Sequence, residues 1–403
     1  MSVAAPIAPA RLAQPRRWQI HNQVAAALVA VGAAALLTGG FVTLAANRLV
    51  SGRPVMLWHA APPAPIVAIA LLAAILLALA TARPGRWRHR LAALAAAALM
   101  MTILAAAGEA ATRLTAGRPA LATVSLGAGF WVGFGCAALA LIDALQRARA
   151  GAVLQLAVVA ALVVAFAAMA EAGVFEALSL AREYAGRRDI FAAALIRHVV
   201  LVVGAIVPAL LIGVPLGLWA LRRKSAEAPL FAALNLLQTV PSIALFGLLI
   251  VPLSALGEAV PSLGALGIGG VGPAPAIIAL VVYALLPIAR NTLAGIGGVS
   301  PAAIDAGRGM GMTERQLFWR VEVPLALPVL LAGLRIVLVQ TIGLAVVAAL
   351  IGAGGLGTFV FDGLGQYATN LVLLGALPAI LLALAVDFLL RLATAGLRRH
   401  VAP

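Results

Sequence analysis

Runs of apolar residues recur along this chain, each roughly 18 to 25 residues long, which is the length that crosses the hydrocarbon core of a bilayer. Apolar residues make up 64% of the chain and charged residues only 10%. Inside a bilayer, a helix satisfies every backbone hydrogen bond within its own segment. The sequence therefore predicts an all-α polytopic membrane protein.

We expect about ten transmembrane helices from these runs. Their predicted bounds are residues 24–46, 65–82, 91–112, 122–145, 152–172, 198–221, 229–252, 274–290, 325–350 and 369–392. The first 23 residues are polar and basic, and the run after them is too long for the core of a signal peptide. We therefore expect an uncleaved first span that follows a cytoplasmic N-terminal tail, residues 1–23.

The net charge of +15 comes largely from arginines that cluster in short loops between apolar runs. The clusters include Arg83 to Arg90, Arg147 with Arg149, and Arg222 to Lys224. Because cytoplasmic loops carry an excess of Lys and Arg, this pattern predicts that both termini are cytoplasmic. It indicates a lipid bilayer as the partner of these cations, and not nucleic acid. His198 then falls at the outer end of its span, where we expect an interface residue.

A mixed-charge connection at residues 174–197 divides the chain. Its apolar residues are spaced three and four apart, which predicts an extracytoplasmic amphipathic helix. The Ala- and Leu-rich spans within residues 24–173 are expected to form an accessory block of about five helices. The spans within residues 198–403 carry Pro, Gly, Gln and Thr at membrane depth, which is tolerated where neighbours or a cavity satisfy the freed backbone. We expect the function in this second half.

The most concentrated polar stretch of the chain covers residues 299–324, and we call it the polar segment. Ser300 suits a helix N-cap and Pro301 suits the first helical position, so a helix is predicted from Pro301 to about Gly309. Gly309 and Gly311 then end this helix. The predicted loop as a whole, residues 296–323, lies on the cytoplasmic side in this topology.

A second helix is predicted after Thr313, because Thr313 and Gln316 have the spacing of a capping box. This helix would present Leu317, Phe318 and Val321 on one side, and Pro324 would mark a turn back into the membrane. A helix, glycine hinge and helix at the surface, carrying apolar side chains beside charges, is suited to insert into a groove of a partner protein.

The polar segment resembles the signature of ABC-importer permeases, in which Glu-Ala-Ala is followed by three residues, Gly, nine residues, Ile, any residue and Leu-Pro. The positions that match are Asp305-Ala306-Gly307, Gly311, Val321 and Val323-Pro324. Three further stretches resemble the osmoprotectant branch of that family, which handles glycine betaine, carnitine and choline: QTVPSIAL at 238–245, YALLPIARNT at 283–292 and IGAGGLG at 351–357. The resemblance covers about half of the chain and implies a five-helix type I permease core, in a long form with an extra N-terminal membrane block.

The resemblance implies that the polar segment is the coupling loop that docks on an ATP-binding subunit. The coupling residues it implies are Asp305, Ala306, Gly307, Gly311, Leu317, Phe318, Val321 and Pro324. Two departures from the family pattern matter. Asp305 replaces the usual Glu, and Gly307 replaces Ala, which lowers helix propensity by about 1 kcal/mol.

Two other groups are candidate site residues. Gln238, Thr239, Pro241 and Ser242 either belong to a broken helix that lines the translocation path or pack helices together through small polar groups. Gly352, Gly354, Gly355 and Gly357 are candidates for an outer gate or for close helix packing. Although three of these glycines fit G-x-G-x-x-G, they follow no strand of a βαβ unit, so a dinucleotide site is not expected.

We expect neither catalytic residues nor a bound cofactor in this chain. Its single lysine, Lys224, is preceded by two arginines, so the sequence holds no P-loop, and its single cysteine excludes a cysteine-ligated metal site. The resemblance implies ATP and Mg on a pair of ATP-binding subunits. It further implies a second permease copy or a paralogue, a separate extracytoplasmic substrate-binding protein, and a multi-pass location in a bacterial inner membrane.

The favoured function is thus a permease subunit of an ATP-driven importer for a small osmoprotectant such as glycine betaine. Three alternatives stay open. The first is an ABC permease for another small zwitterion or amino acid, the second is an ion-coupled secondary transporter, and the third is a non-transporting membrane scaffold.

Overall fold

The computed structural model of the protein describes residues 20–48, 50–265 and 268–401. Most of the predicted N-terminal tail therefore lies outside the described residues. The chain divides into two compact units between Ser179 and Leu180. Each unit is an assembly of helices.

The first unit contains six helices and a small sheet. Its elements are α1 (Gln23–Thr38), β1 (Val42–Ala45), β2 (Arg53–Val55), α2 (Leu57–Ala60), α3 (Pro63–Thr81), α4 (Arg86–Thr115), β3 (Thr123–Leu126), α5 (Ala128–Arg147) and α6 (Ala152–Glu171). The strands pair antiparallel in the order β2-β1-β3, with Val42 opposite both Val55 and Leu126. The unit was expected to be all-α, but it contains a three-stranded sheet, and two of the strands lie within apolar runs that were predicted as membrane spans.

The sheet explains why two predicted spans were too long. The first was expected at residues 24–46, but α1 ends at Thr38, where the backbone of Gly39 is extended. The backbone N–H of Gly129 then bonds to the carbonyl of Gly40, 2.9 Å away, so the chain turns into β1 against the start of α5. In the same way, residues 123–126 of the predicted span 122–145 form β3, and the helix begins only at Ala128.

The second unit contains the remaining helices. They are α7 (Ser179–Ala185), α8 (Arg188–Arg222), α9 (Lys224–Thr239), α10 (Ser242–Ala259), α11 (Pro261–Ala265), α12 (Pro273–Gly297), α13 (Pro301–Gly309), α14 (Glu314–Leu317), α15 (Val323–Val347), α16 (Gly357–Gly365) and α17 (Thr369–Val401). A π-helical turn, Phe318–Glu322, joins α14 to α15, and a 3-10 turn, Ala348–Ile351, follows α15.

The core of the second unit lies between α8, α10, α12 and α15. Leu201, Phe246, Leu280 and Ile342 contribute large side chains that are almost fully buried. Small residues bring α8 and α12 close together, since a Cβ on Gly217 would lie 2.5 Å from the carbonyl oxygen of Ala289. α12 is therefore the central helix, and α8 packs along it.

Nine helices of the described residues are long and apolar enough to cross a membrane, where we had expected about ten. Five of them belong to the second unit, the number predicted for the permease core. The shortfall comes from α1, whose 16 residues make it shorter than a span. The predicted linker 174–197 is not a separate surface helix throughout, because α8 already begins at Arg188 and runs for 35 residues.

One predicted span of the second unit is interrupted. We expected a single helix at residues 229–252, but α9 ends at Thr239 and α10 starts at Ser242. Pro241 lacks a backbone N–H and disfavours a helical backbone at Val240, whose ψ is 125°. The proline therefore divides the span into two helices.

Ion pairs between charged side chains join two apolar spans of the second unit. The Arg335 Nε atom on α15 lies 3.4 Å from an Asp387 oxygen on α17, and Arg391 Nε lies 2.8 Å from the other oxygen. A carboxylate between two guanidinium groups offsets part of a positive charge that would be costly in lipid. Asp387 thus fastens α17 to α15.

We expect Asp387→Asn to lower the free energy of unfolding by about 1 to 3 kcal/mol, because it leaves two arginines without their shared anion. Thermal unfolding of the purified chain in mild detergent measures this change. Asp362→Asn, the same change at an exposed position of α16, is the control and should cost less than about 0.5 kcal/mol. Equal losses in the two variants would contradict the role given to Asp387.

Candidate functional site

The polar segment folds into two helices joined by a glycine turn. α13 runs from Pro301 to Gly309, as predicted. Gly311 then adopts a φ of 76°. Its N–H donates to the carbonyl of Arg308, and the N–H of Met312 donates to the carbonyl of Gly307. This pair of bonds is a Schellman motif, which needs a left-handed residue after the helix and explains the glycine at 311.

The second helix of the polar segment starts with the predicted capping box. The N–H of Gln316 donates to the Thr313 hydroxyl at 3.3 Å, and the N–H of Thr313 donates to the Gln316 side-chain oxygen at 2.9 Å. Both terminal donors are thereby satisfied. The local sequence alone fixes where this helix begins.

The prediction that the chain turns at Pro324 is wrong. The chain continues without a turn from α14 through the π-helical turn into α15, so that residues 314–351 form one helix. Because Pro324 has no backbone N–H, the helix cannot make its usual hydrogen bond at that residue. A wider π-helical turn precedes the proline, and in this turn the N–H of Val323 donates to the carbonyl of Phe318. The second helix of the polar segment is thus the end of a membrane span.

The apolar side chains of the polar segment point inward, contrary to our expectation that Leu317 and Phe318 would be presented to a partner. Leu317 is 1% exposed, and Phe318 packs with Ile304 on a cluster built around Ile296 and Ala326. A Cβ on Gly307 would lie only 2.6 Å from Leu317 Cδ1. The glycine that replaces alanine therefore gives room for Leu317, which holds α13 on the span.

The outer surface of the polar segment carries other residues than those predicted to project. Met310 is 70% exposed and Trp319 is 61% exposed. Asp305 and Arg315 are exposed as well, and Arg308 forms an exposed ion pair with Glu314 at 3.3 Å. Of the implied coupling residues, Asp305, Ala306 and Gly311 lie on this surface, whereas Val321 and Pro324 are half-buried. Large exposed apolar side chains in a segment that also exposes charges are typical of a protein interface.

The break between α9 and α10 is held by α12. The Tyr283 hydroxyl on α12 donates to the carbonyl of Val240, and the Gln238 amide nitrogen donates to the carbonyl of Tyr283 at 2.7 Å. The first bond satisfies a carbonyl at the break, and the second satisfies a carbonyl of α12 whose usual helical partner, Pro287, has no N–H. Thr239 and Pro241 are exposed beside them, while Ser242 is half-buried. Tyr283 opens the YALLPIARNT stretch, but nothing in that stretch marked it as the residue that supports the break.

The glycine stretch after α15 forms a turn with three left-handed residues. Gly352, Gly354 and Gly355 have φ angles of 76°, 77° and 85°, whereas Gly357 begins α16. The backbone N–H of Gly272 donates to the carbonyl of Ile351 at 2.8 Å, which ties this turn to the start of α12.

Two side chains of α8 hold the same turn. Arg197 Nε donates to the carbonyl of Ala353 at 3.1 Å, and His198 Nε2 lies 3.2 Å from the carbonyl oxygen of Ile342. His198 is fully buried, and a Cβ on Gly355 would lie 3.3 Å from its Nδ1 atom. His198 is therefore a core residue that contacts the glycine turn, and our expectation of an interface residue was wrong.

Among the described residues, no group of three or more His, Cys, Asp or Glu side chains is placed to hold a metal ion. The three groups of candidate residues thus form backbone turns, helix caps and close contacts, which connect helices to one another.

Comparison with known proteins identifies both halves of the chain. The family model described as the N-terminal domain of ABC transporter permease YehY matches residues 21–181. The family model described as a binding-protein-dependent transport system inner membrane component matches residues 209–399.

Several curated proteins are similar to the second half. The osmoprotectant import permease protein OsmW of Salmonella typhimurium is 42% identical over 194 residues, which are 48% of this chain and 85% of that protein. The carnitine transport permease protein OpuCB of Listeria monocytogenes is 42% identical over 48% of this chain and 82% of its own length. The choline transport system permease protein OpuBB of Bacillus subtilis is 37% identical, over 50% and 88%.

A solved structure of the MetNI methionine ABC transporter in inward-facing conformations matches with 21% identity and a TM-score of 0.44, over 53% of this chain and 98% of that one.

The family models and the curated relatives define an integral membrane permease of the ABC transporter class. The chain belongs to the family of binding-protein-dependent transport system inner membrane components, and it is the permease component of an importer. The predicted family and the predicted helical fold class are confirmed. The chain is not itself the catalytic subunit of such a transporter.

We expect Gly311→Ala to destabilise the polar segment by about 1 to 2 kcal/mol, because a side chain is disfavoured in the left-handed region. Gly309→Ala is the matched control. Gly309 lies in α13 with open space around it, so the alanine there should be neutral or add up to about 1 kcal/mol. Hydrogen exchange of residues 301–317 in the purified chain measures both changes, and equal exchange rates in the two variants would contradict the glycine turn.

Proposed function

We propose that this permease forms the translocation path for a small osmoprotectant such as glycine betaine, carnitine or choline. The names of its relatives support this substrate class, since three proteins that are 37–42% identical are named for osmoprotectants, carnitine or choline. Substrate would be delivered by a separate binding protein on the outer side. Two permeases, either two copies of this chain or this chain and a paralogue, would enclose the path.

The observation that carries the proposal is the shape of the polar segment. Gly307 and Gly311 fold it into a compact helix–turn–helix, and the same fold leaves Met310 and Trp319 exposed among charges. Such a surface fits a groove on a partner, which we take to be one of a pair of ATP-binding subunits that bind ATP and Mg. With the arginine clusters of the loops in the cytoplasm, as the excess of positive charge predicts, this surface faces the compartment that contains ATP.

The geometry of the other two groups supports the roles that we propose for them. Thr239 and Pro241 lie exposed at a helix break, where polar groups of α9 can face a second permease and line the path. The glycine turn 352–357 adjoins the start of α12 through Gly272, and we assign it to an outer gate. The switch between inward- and outward-facing arrangements would then be a rigid-body motion of packed helices.

We expect Trp319→Ala to weaken binding of the ATP-binding subunit about tenfold or more, since exposed tryptophans dominate many interfaces. Asp305→Lys should act in the same direction by reversing a charge on that surface. Co-purification with the ATP-binding subunit and ATP-driven uptake of glycine betaine into proteoliposomes measure both variants. Asp362→Lys on α16 is the matched control for subunit binding.

Normal uptake and normal subunit binding in both variants would rule out the docking surface. Uptake of an amino acid in place of glycine betaine, with subunit binding intact, would keep the docking surface and overturn the substrate.

We expect residues 180–403 to bind the ATP-binding subunit without the first unit. A fragment that begins at 198 would remove the first ten residues of α8, including Arg197, so the cut belongs between Ser179 and Leu180. The relatives support this expectation, because a match to 48% of this chain covers 85% of OsmW. Size-exclusion chromatography of the fragment with the ATP-binding subunit tests it. A folded fragment that does not bind would mean that residues 24–173 are more than an accessory block.

A further inference from the structure

We propose that the first unit binds one anionic phospholipid, with an acyl chain in an apolar cavity and the headgroup at the arginines that precede and begin α4. The proposal rests on features of the first unit alone and does not depend on the transported substrate.

The acyl chain is assigned to a cavity of about 150 Å³ between α1, α3, α4 and α5. Its lining is almost wholly apolar and includes Leu28, Ile69, Ala73, Ile103 and Cys136. Along α3 the lining extends from Ile66 to Leu76, which is about 15 Å at 1.5 Å per residue. That length is about half of the 30 Å hydrocarbon core, so the lining can follow part of an acyl chain from one leaflet.

The cavity opens at the surface of the unit, where lipid acyl chains could enter it. Leu37 lines it and is also 57% exposed, so the lining reaches the surface of the unit. A dry apolar cavity of this size accepts a ligand as large as benzene, and it can therefore take a stretch of about six chain carbons. In a membrane, the molecules that can enter from the side are acyl chains.

The headgroup is assigned to a polar recess that continues the cavity at one end. Three residues, Val29, Leu76 and Ala140, line both the cavity and the recess. Arg88 and His89 line the recess as well. Its volume is only about 20 Å³, enough for a single water-sized group. A phosphate would therefore lie at the mouth of the recess, where exposed side chains can reach it.

Positive charge is concentrated in the sequence next to the recess. Arg83, Arg86, Arg88 and Arg90 are all exposed, and the Arg88 guanidinium is held toward the loop by a 2.8 Å bond to the carbonyl of Arg83. Trp87 between them is 75% exposed and stacks against Arg90 at 5.2 Å. A tryptophan beside arginines at a helix end is typical of the membrane interface.

The acid that faces the recess does not oppose an anion. Asp143 accepts a hydrogen bond from the Asn22 amide at 2.7 Å and pairs with Arg147 at 2.9 Å. Its charge is therefore already balanced. A basic pocket between transmembrane helices that adjoins an apolar cavity recognises an anionic lipid headgroup.

The cavity is tested by filling it. The full chain is purified with its partner subunits in mild detergent, and retained phosphatidylglycerol is measured by native mass spectrometry. We expect Ala73→Leu to lower retention roughly tenfold, as the loss of about two buried methylene contacts would. Ala74→Leu, the same change at an exposed neighbour on α3, should retain the lipid.

The headgroup site is tested by charge. We expect the wild type to retain phosphatidylglycerol in preference to phosphatidylcholine, and Arg88→Gln to lose that preference. Arg113→Gln, at the opposite end of α4, is the control and should keep it. Inorganic phosphate should not displace the lipid, because it lacks the acyl chain.

Any of three results would overturn the proposal. They are the absence of retained lipid in the wild type, equal retention in Ala73→Leu and Ala74→Leu, and displacement of the lipid by inorganic phosphate alone.

Discussion

The permease half of this protein depends on one constraint, namely that every backbone N–H and C=O at membrane depth needs a partner. Its helices are interrupted at Val240–Pro241 and at the glycine turn 352–357, and the helix that contains Pro324 is widened by a π-helical turn without being broken. At each of these places, a specific group or turn provides for the backbone groups that lack their usual helical partners. Tyr283 and Gln238 bond across the first interruption, Arg197 bonds to the glycine turn, and the π-helical turn accommodates the proline. The two interruptions are therefore fixed features of the fold, and the helices that meet at them can act as separate rigid bodies, whereas the helix through Pro324 stays continuous.

The polar segment shows how a departure from a family pattern can be compatible with the same geometry. Alanine is usual at position 307, yet here a Cβ would press on Leu317, the side chain that holds α13 against the span. Glycine at 307 and a large Leu317 are thus a matched pair. The cost of glycine within a helix, about 1 kcal/mol, is offset by the burial of that leucine.

Much of this could be predicted from sequence, and the successes share a cause. Helix ends set by a proline, a capping box or a left-handed glycine depend on neighbours in sequence, so α13 and the start of α14 were predicted at their observed residues. The five spans of the second unit followed from length and hydropathy. Polar contacts between distant residues had no such signal, which is why the role of Tyr283 was missed.

The failures have a second cause. In a chain that is 64% apolar, a buried strand and the end of a membrane helix have the same composition, so β1 and β3 were absorbed into predicted spans. Likewise, the direction of Leu317 and the burial of His198 depend on tertiary packing, and in such a chain an apolar side chain gives no hint of which side is inside. Charge is the more reliable guide here, because a charged group is costly wherever it is buried without a partner.

The continuity of residues 314–351 gives the proposed coupling a physical route. One helix of 38 residues, about 57 Å long at 1.5 Å per residue, carries part of the polar segment at one end and the glycine turn at the other. Had the chain turned at Pro324, a push on Trp319 could have been absorbed by that turn. Because the π-helical turn keeps the axis unbroken, a displacement at the docking surface must move the rest of α15. The core that moves with it includes Ile342, which lies against His198 beside the glycine turn. Coupling between the two ends then requires no chain of polar contacts, only two stable positions of one helix.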